Sequence, residues 1–395
     1  MDKTYTVCFS GTTCTRDEGE VSRSGSDKRI YSTETGYIPV RIHMEISGNL
    51  SATDPSVTVR GVGVNDWAGE EISEKLSLDA PLKIPKGLKN DTERYSGGDR
   101  RSDVGALTGW SSAALALHGA NLAAASGAKA YNFIGHSRGA MQCMMAAWFL
   151  YAYGGDRKNV PVRIFAIDPV PGPGDWYSII TKLAPNVANY VGVTAWDHLD
   201  LGFDGLVPRP NARMAGSAAS PVLGGKWTEL ADSYDLANPL KPAKSGTSQP
   251  TDYRLFACRG RHGTVAGNMT SDGKYDPAKV DTSVARVPHL VYKMARAYLT
   301  DWGTVFQKES AVDLSALQLR QMINLDHRAL DRMGGGPRRF RIMRGREVRY
   351  VSSSHGRAPW QKHYLENVAG DPPYRQPYPV TANRTRAGWV HWTYL

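Results

Sequence analysis

Cysteine is scarce in this chain, with only Cys8, Cys14, Cys143 and Cys258 among 395 residues. None of them shares the short paired spacing that closes a zinc site, and they are too few for a disulfide framework. All four are therefore expected as reduced, mostly buried thiols. Long apolar runs are also missing. No window approaches the roughly 18–20 apolar residues of a membrane span, and the longest such stretch, Met144 to Tyr153, reads as a core helix. The opening residues Met1 to Val7 carry no basic start, extended apolar region or small-residue cleavage site, so no classical secretion signal is inferred. The expectation is a protein made in the cytoplasm that either stays there or leaves by a route that reads no such signal. Nucleotide-binding signatures are wanting as well. The turn Gly61-Val62-Gly63 lacks the third glycine of a dinucleotide fingerprint, and no P-loop or zinc spacing occurs.

Negative charge is in deficit, with 48 Lys and Arg against 38 Asp and Glu and a net charge of +10. The imbalance is local. From Asp301 to Leu395 there are 15 basic and 8 acidic side chains, so +7 of the excess lies in the last quarter. The run Pro337 to Arg346 interleaves arginines with apolar residues, and Trp360, Tyr364, Trp389 and Trp392 follow. Such a tail suits the interface of an anionic bilayer. It equally suits a solvated face whose aromatics pack on the rest of the protein. Nucleic acid is disfavoured as a partner because no recognisable module surrounds the basic run.

Hydrophobic content of 41% over 395 residues is enough for one large domain plus an appendage. Strand-like runs occur at Tyr5–Phe9, Ser56–Arg60, Ala130–Ile134, Val162–Ile167, Tyr190–Ala195 and Tyr253–Ala257, with an Ala- and Leu-rich helical stretch at Ser111–Ala125. Strands alternating with helices predict a mostly parallel central sheet with helices on both faces, and such sheets bind ligands at the carboxyl ends of their strands. Residues 1–300 are expected to form this α/β domain, with lid-like insertions at about 171–190 and 205–245. Residues 301–395 are read as a basic, aromatic-rich extension packed on or beside it. The polar stretches 17–32 and 76–103 read as surface excursions. The first opens Asp17-Glu18-Gly19-Glu20, where calcium binding stays an open question.

One motif carries chemistry. Gly135-His136-Ser137-Arg138-Gly139 fits G-x-S-x-G, with an apolar strand leading in and the apolar helix Ala140–Leu150 leading out. A serine on such a sharp strand-to-helix turn has its hydroxyl held clear of the backbone at a helix N-terminus. A β-carbon at either flank would clash. Ser137 is the candidate nucleophile. Its base must lie in hydrogen-bond reach, and where this elbow occurs the chain order is Ser, then acid, then His. His262 follows the last convincing strand on a loop and is the expected base. His289 begins a helical stretch and reads as structural, while His198 follows Asp197 where an acid or a lid residue fits better. His327, His355, His363 and His391 lie in the tail. Two carboxylates qualify as the orienting acid, Asp168 and Asp197, each ending a strand. One oxyanion donor is expected from the amide of Arg138, and the other from the small-residue turn Ser10-Gly11-Thr12-Thr13, centred on Thr12. This chemistry needs no cofactor or metal.

With these residues assembled, the chain resembles the lipases of the α/β-hydrolase superfamily. Ala166-Ile167-Asp168-Pro169 is similar to the Gly-Leu-Asp-Pro segment that carries the acid in pancreatic-type lipases, which favours Asp168 over Asp197. Gly135 to Ala140, in the form Gly-x-Ser-Arg-Gly-Ala, resembles the elbow of bacterial type VI secretion lipase effectors. Phe9 to Thr12 and Gly61 to Gly63 match their Phe-x-Gly-Thr and Gly-Val-Gly turns. The likeness covers roughly residues 5–300. It departs at His262-Gly263-Thr264-Val265-Ala266-Gly267, where relatives often read His-Ser-Asp-Val-Gly-Gly. The resemblance implies a serine carboxylester hydrolase, a lipase or phospholipase, acting on membranes of rival cells. It further implies a secretion-apparatus component and a neutralising immunity protein as partners. An esterase on small soluble esters, or a binding module built on the same scaffold, are the alternatives.

Overall fold

The computed structural model describes residues 3–14, 31–63, 76–84, 111–171, 183–197, 205–208, 252–269 and 282–326, a few isolated positions, and the backbone of four short strands. The acidic run 17–20, the basic run 337–346, and His198, His327, His355 and His363 lie outside the described residues. So do 172–182 and most of 205–245, the bulk of the expected lids.

The core is one twisted sheet. In chain order its strands are β1 (Thr4–Phe9), β2 (Ser56–Val59), β3 (Ala130–His136), β4 (Val162–Ile167), β5 (Val187–Ala195), β8 (Asp252–Cys258), β9 (Arg384–Ala387) and β10 (Val390–Tyr394). A separate antiparallel ribbon pairs β6 (Arg213–Met214) with β7 (Thr247–Ser248). The spatial order is β2-β1-β3-β4-β5-β8-β10-β9, and every pairing is parallel except β9 with β10. Parallel strands buried on both faces need apolar residues at nearly every position, and β3 is buried along its whole length.

The two faces have separate cores. Tyr5, Val7, Phe9, Tyr131, Phe133 and Ile164 point to one side. There they meet α2 (Ser112–Ala125) and α3 (Arg138–Tyr153), helices so rich in Ala, Met and Leu that almost no polar face remains. Gly119 lets α2 approach closely, because a Cβ there would stand 2.5 Å from the Phe9 ring. Cys8, Ile134, Phe165, Val191 and Cys258 point to the other side, against α1 (Ile38–Ser47) and α4 (Arg286–Asp301). In α4 the buried residues Val287, Leu290, Val291, Met294, Ala295 and Leu299 recur at helical spacing and make one apolar stripe. A fifth helix, α5 (Ala316–Leu325), starts at a Ser315–Gln318 capping box. Helices thus cover both faces, as the alternating pattern predicts. No described helix is long and apolar enough to cross a membrane. All four cysteines are buried, and none forms a disulfide.

Three strands depart from the sequence reading, and within 76–103, read as a surface excursion, Leu78 and Leu82 are buried in the core. β5 begins at Val187, so the end of the excursion assigned to 171–190 is strand; its Asn-Val-Ala-Asn start is too polar to read as a buried strand in isolation. The chain end, expected outside the strand–helix pattern, supplies β9 and β10. Trp392 pairs in register with Leu255, and His391 lies within this added strand. The final residue Leu395 is buried, and its amide donates to Ala257 at 2.9 Å. A short β-rich run after a long polar stretch carries no local mark of the strand it will join.

The chain passes from β1 leftwards to β2 over one face and from β3 rightwards to β4 over the other. The gap between β1 and β3 is therefore the topological switch point, where open parallel sheets form a crevice at their carboxyl edge.

Candidate active site

Ser137 stands at that crevice, between the end of β3 and the first residue of α3. Its backbone is strained, at φ 57° and ψ −125°, a conformation that a non-glycine residue holds only when its surroundings enforce it. The enforcement is visible. The Ser137 amide donates to Ile167 O at 3.0 Å. A Cβ on Gly135 would stand 2.5 Å from the Gly139 backbone, and one on Gly139 would stand 2.4 Å from Phe9 O. Both flanking glycines are therefore required by contact, as the motif predicts.

Two segments converge on this serine. His262 Nε2 lies 2.8 Å from Ser137 Oγ, and His262 Nδ1 lies 2.7 Å from Asp168 Oδ2. Asp168 ends β4, is fully buried, and also accepts the Ala195 amide through Oδ1 at 3.0 Å. A carboxylate can only accept, so Nδ1 of His262 carries the proton and Nε2 presents a lone pair to the Ser137 hydroxyl. The serine consequently donates to the histidine, the orientation needed for its proton to leave as Oγ attacks. Ser137 and His262 are only about 5% and 7% exposed, so this hydrogen-bonded chain lies largely out of water.

Asp197, the other carboxylate considered, is occupied elsewhere. Arg259 grips it with two bonds, Nε to Oδ2 at 2.9 Å and Nη2 to Oδ1 at 3.0 Å, and the Gly260 amide adds a third at 2.6 Å. Its own amide donates to Gly260 O. Asp197 thereby anchors the start of the loop that carries His262. A buried bidentate pair of this kind fixes geometry as much as it contributes energy.

The expected oxyanion residues also meet. Arg138 Nη1 donates to Thr12 Oγ1 at 3.2 Å and Arg138 Nε donates to Pro171 O at 2.9 Å. One guanidinium thus ties the loop after β1 and the loop after β4 to the head of α3. Burial pushes this guanidinium down to about 10, still charged at neutral pH. Among the described residues the Thr12 amide finds no acceptor within the chain. The Gly61–Gly63 turn backs this loop: Thr13 N donates to Val62 O, and Gly61 N to Cys14 O. A Cβ on Gly61 would lie 1.8 Å from Gly11 O.

His289 sits apart, near the start of α4. Its Nε2 faces Ser32 Oγ at 2.9 Å and Glu34 Oε2 at 3.0 Å. This agrees with its reading as a structural residue. Among the described residues no group of acidic, His and Cys side chains is arranged to hold a metal ion.

Three contributors escaped the sequence reading. Arg259 is ordinary in composition, and only the neighbouring strand ends bring it to Asp197. Tyr37 and His136 bond each other from 99 positions apart. His136 occupies a position of the elbow motif that accepts any residue, and Tyr37 had no local signal at all.

No protein-family model matches this chain, and no curated protein does. Among solved structures, an uncharacterized protein from Pseudomonas aeruginosa is similar at 13% identity and a TM-score of 0.39, over 84% of this chain and 51% of that one. The chain therefore spans about half the length of that structure.

Proposed function

We propose that this protein is a serine carboxylester hydrolase of the α/β-hydrolase type. One observation carries the reading: a strained serine at a strand-to-helix turn, hydrogen-bonded to a histidine whose far nitrogen donates to a buried carboxylate. Ser137 Oγ attacks the ester carbonyl while His262 Nε2 takes its proton. Asp168 stabilises the imidazolium, and the amides of Arg138 and Thr12 receive the developing oxyanion. His262 then returns the proton to the leaving alkoxide. Water repeats the sequence to release the acyl group.

Lipid is the substrate we favour, and phospholipid in particular, because the motifs around Ser137 and Asp168 resemble lipases and the chain is basic. The same resemblance supports an antibacterial effector delivered by a secretion apparatus, neutralised in its own cell by a partner protein.

Fluorophosphonate labelling of the full chain tests the mechanism. Wild type is expected to label and Ser137→Ala to stay unlabelled; a wild type that does not react overturns the reading. Release of fatty acid from phosphatidylglycerol vesicles, compared with hydrolysis of a short soluble ester, tests the substrate. Hydrolysis confined to the soluble ester replaces lipase by esterase.

A further inference from the structure

Between the loop that carries the oxyanion donor and the loop that carries the base runs a continuous chain of hydrogen bonds, through residues with no part in proton transfer. The Gly11 amide donates to Tyr37 Oη at 2.6 Å. Tyr37 Oη lies 3.0 Å from His136 Nδ1, and His136 Nε2 lies 3.0 Å from the backbone oxygen of His262. A carbonyl only accepts, so His136 Nε2 carries the proton. When the ring is neutral, His136 Nδ1 is the acceptor, and the Tyr37 hydroxyl donates to it while accepting the Gly11 amide.

Burial and packing reinforce the chain. Tyr37 is about 1% exposed and His136 about 5%. The His136 ring packs edge-on to Tyr37 and lies 4.6 Å, centre to centre, from the His262 ring. Gly11 is the residue that permits the approach, because a Cβ there would stand 2.8 Å from His136 Nδ1 and 3.0 Å from Tyr37 Oη. The adjoining residue, Thr12, bears the amide assigned to the oxyanion.

We propose that Tyr37 and His136 are positioning residues that hold the Gly11–Thr12 loop in register with His262, acting as one linked unit. The proposal rests on the hydrolase reading above. A catalytic group displaced by about 1 Å can cost about a hundredfold in rate, so a strut joining two of the three loops around Ser137 acts on turnover. Because the strut acts on the donor and base loops, its loss is expected in kcat, with KM nearly unchanged.

The test is a double-mutant cycle on the full-length protein, with Tyr37→Phe, His136→Gln and the double variant. Phe keeps the ring and deletes both hydroxyl bonds. Gln keeps a donor for His262 O and removes the imidazole Nδ1 that accepts from Tyr37. Each single variant is expected to lose about tenfold in kcat, with KM within about twofold, and the double variant to lose no more than the worse single. Losses that multiply in the double variant, or that fall on KM, overturn the proposal. Histidine nitrogen NMR gives a readout independent of turnover. Wild type is expected to show His136 with its proton on Nε2, and Tyr37→Phe to shift the His262 resonances. His136 with its proton on Nδ1, or His262 resonances untouched by Tyr37→Phe, sinks the linkage. A wild type without esterase activity that shows both NMR signatures removes the hydrolase reading and keeps the strut.

Discussion

Asp168 and Asp197 stand just past the ends of adjacent parallel strands, both are buried, and each receives two or more hydrogen bonds, yet their partners differ. Asp168 meets a histidine and a backbone amide. Asp197 meets an arginine and a backbone amide. The difference comes from a single loop, Arg259 to His262, which offers Arg259 to the nearer strand and carries His262 three residues further, across to β4. Equivalent strand ends are thus made unequal by what a distant segment brings to them. In the proposed mechanism one carboxylate orients the proton relay, and the other holds the loop that completes it.

The strongest way to sharpen this contrast is Asp168→Asn. The amide can still accept from Ala195, but its NH2 would face Nδ1 and favour the wrong histidine tautomer. A loss of about 10^4-fold in kcat is expected with little change in melting temperature, measured by ester hydrolysis and calorimetry. Asp197→Asn should act in the opposite sense. It strands the Arg259 guanidinium in a buried site, so a stability loss of about 3–5 kcal/mol is expected by denaturant titration. The molecules that remain folded should retain fluorophosphonate labelling of Ser137. Equal catalytic losses in the two variants would dissolve the comparison.

A paired replacement refines it. Asp197→Leu with Arg259→Met removes both charges, and its stability loss should be smaller than that of Asp197→Asn alone, because no unpaired charge is left. A double variant less stable than the single would mean that the Gly260 bond, and not the ion pair, sustains the loop.

The second His–carboxylate contact, His289 with Glu34, provides the smallest expected effect. Burial holds the His289 imidazole below its ordinary range, against the opposing pull of Glu34. Its folded form binds a proton less readily than the unfolded chain. Its contribution to stability is therefore complete above about pH 6.5 and falls as pH drops below that value. The melting temperature should decline from pH 7 to pH 5, and His289→Gln should flatten that decline by a degree or so. An unchanged slope in the variant would assign the decline to other groups.

Much of the architecture was legible in the chain. Six strands were visible because parallel strands buried on both faces write themselves as apolar, β-branched runs, and α2 and α3 because buried helices show unbroken Ala, Leu and Met. β10 was not legible, because five residues after a long polar stretch become a strand only by pairing with β8. The polar start of β5 was hidden for the same reason. Within the site, Ser137 was readable from five contiguous residues, since the strain of the elbow is a local property that demands glycine on both sides. His262 followed from its position after the last strand of the predicted domain.

The choice between Asp168 and Asp197 lay beyond periodicity and spacing, which give both the same address at a strand end. Only the folded sheet decides how far each stands from His262 and which one Arg259 reaches first. The same holds for Tyr37, His136 and Gly11. By itself the sequence determined which segments become strands and helices and where the backbone must turn sharply, because those properties are set by neighbours a few residues away. Tertiary structure alone decided which side chains share a proton, because a hydrogen bond across 94 to 126 positions depends on strand order and register, and neither is written within any one segment.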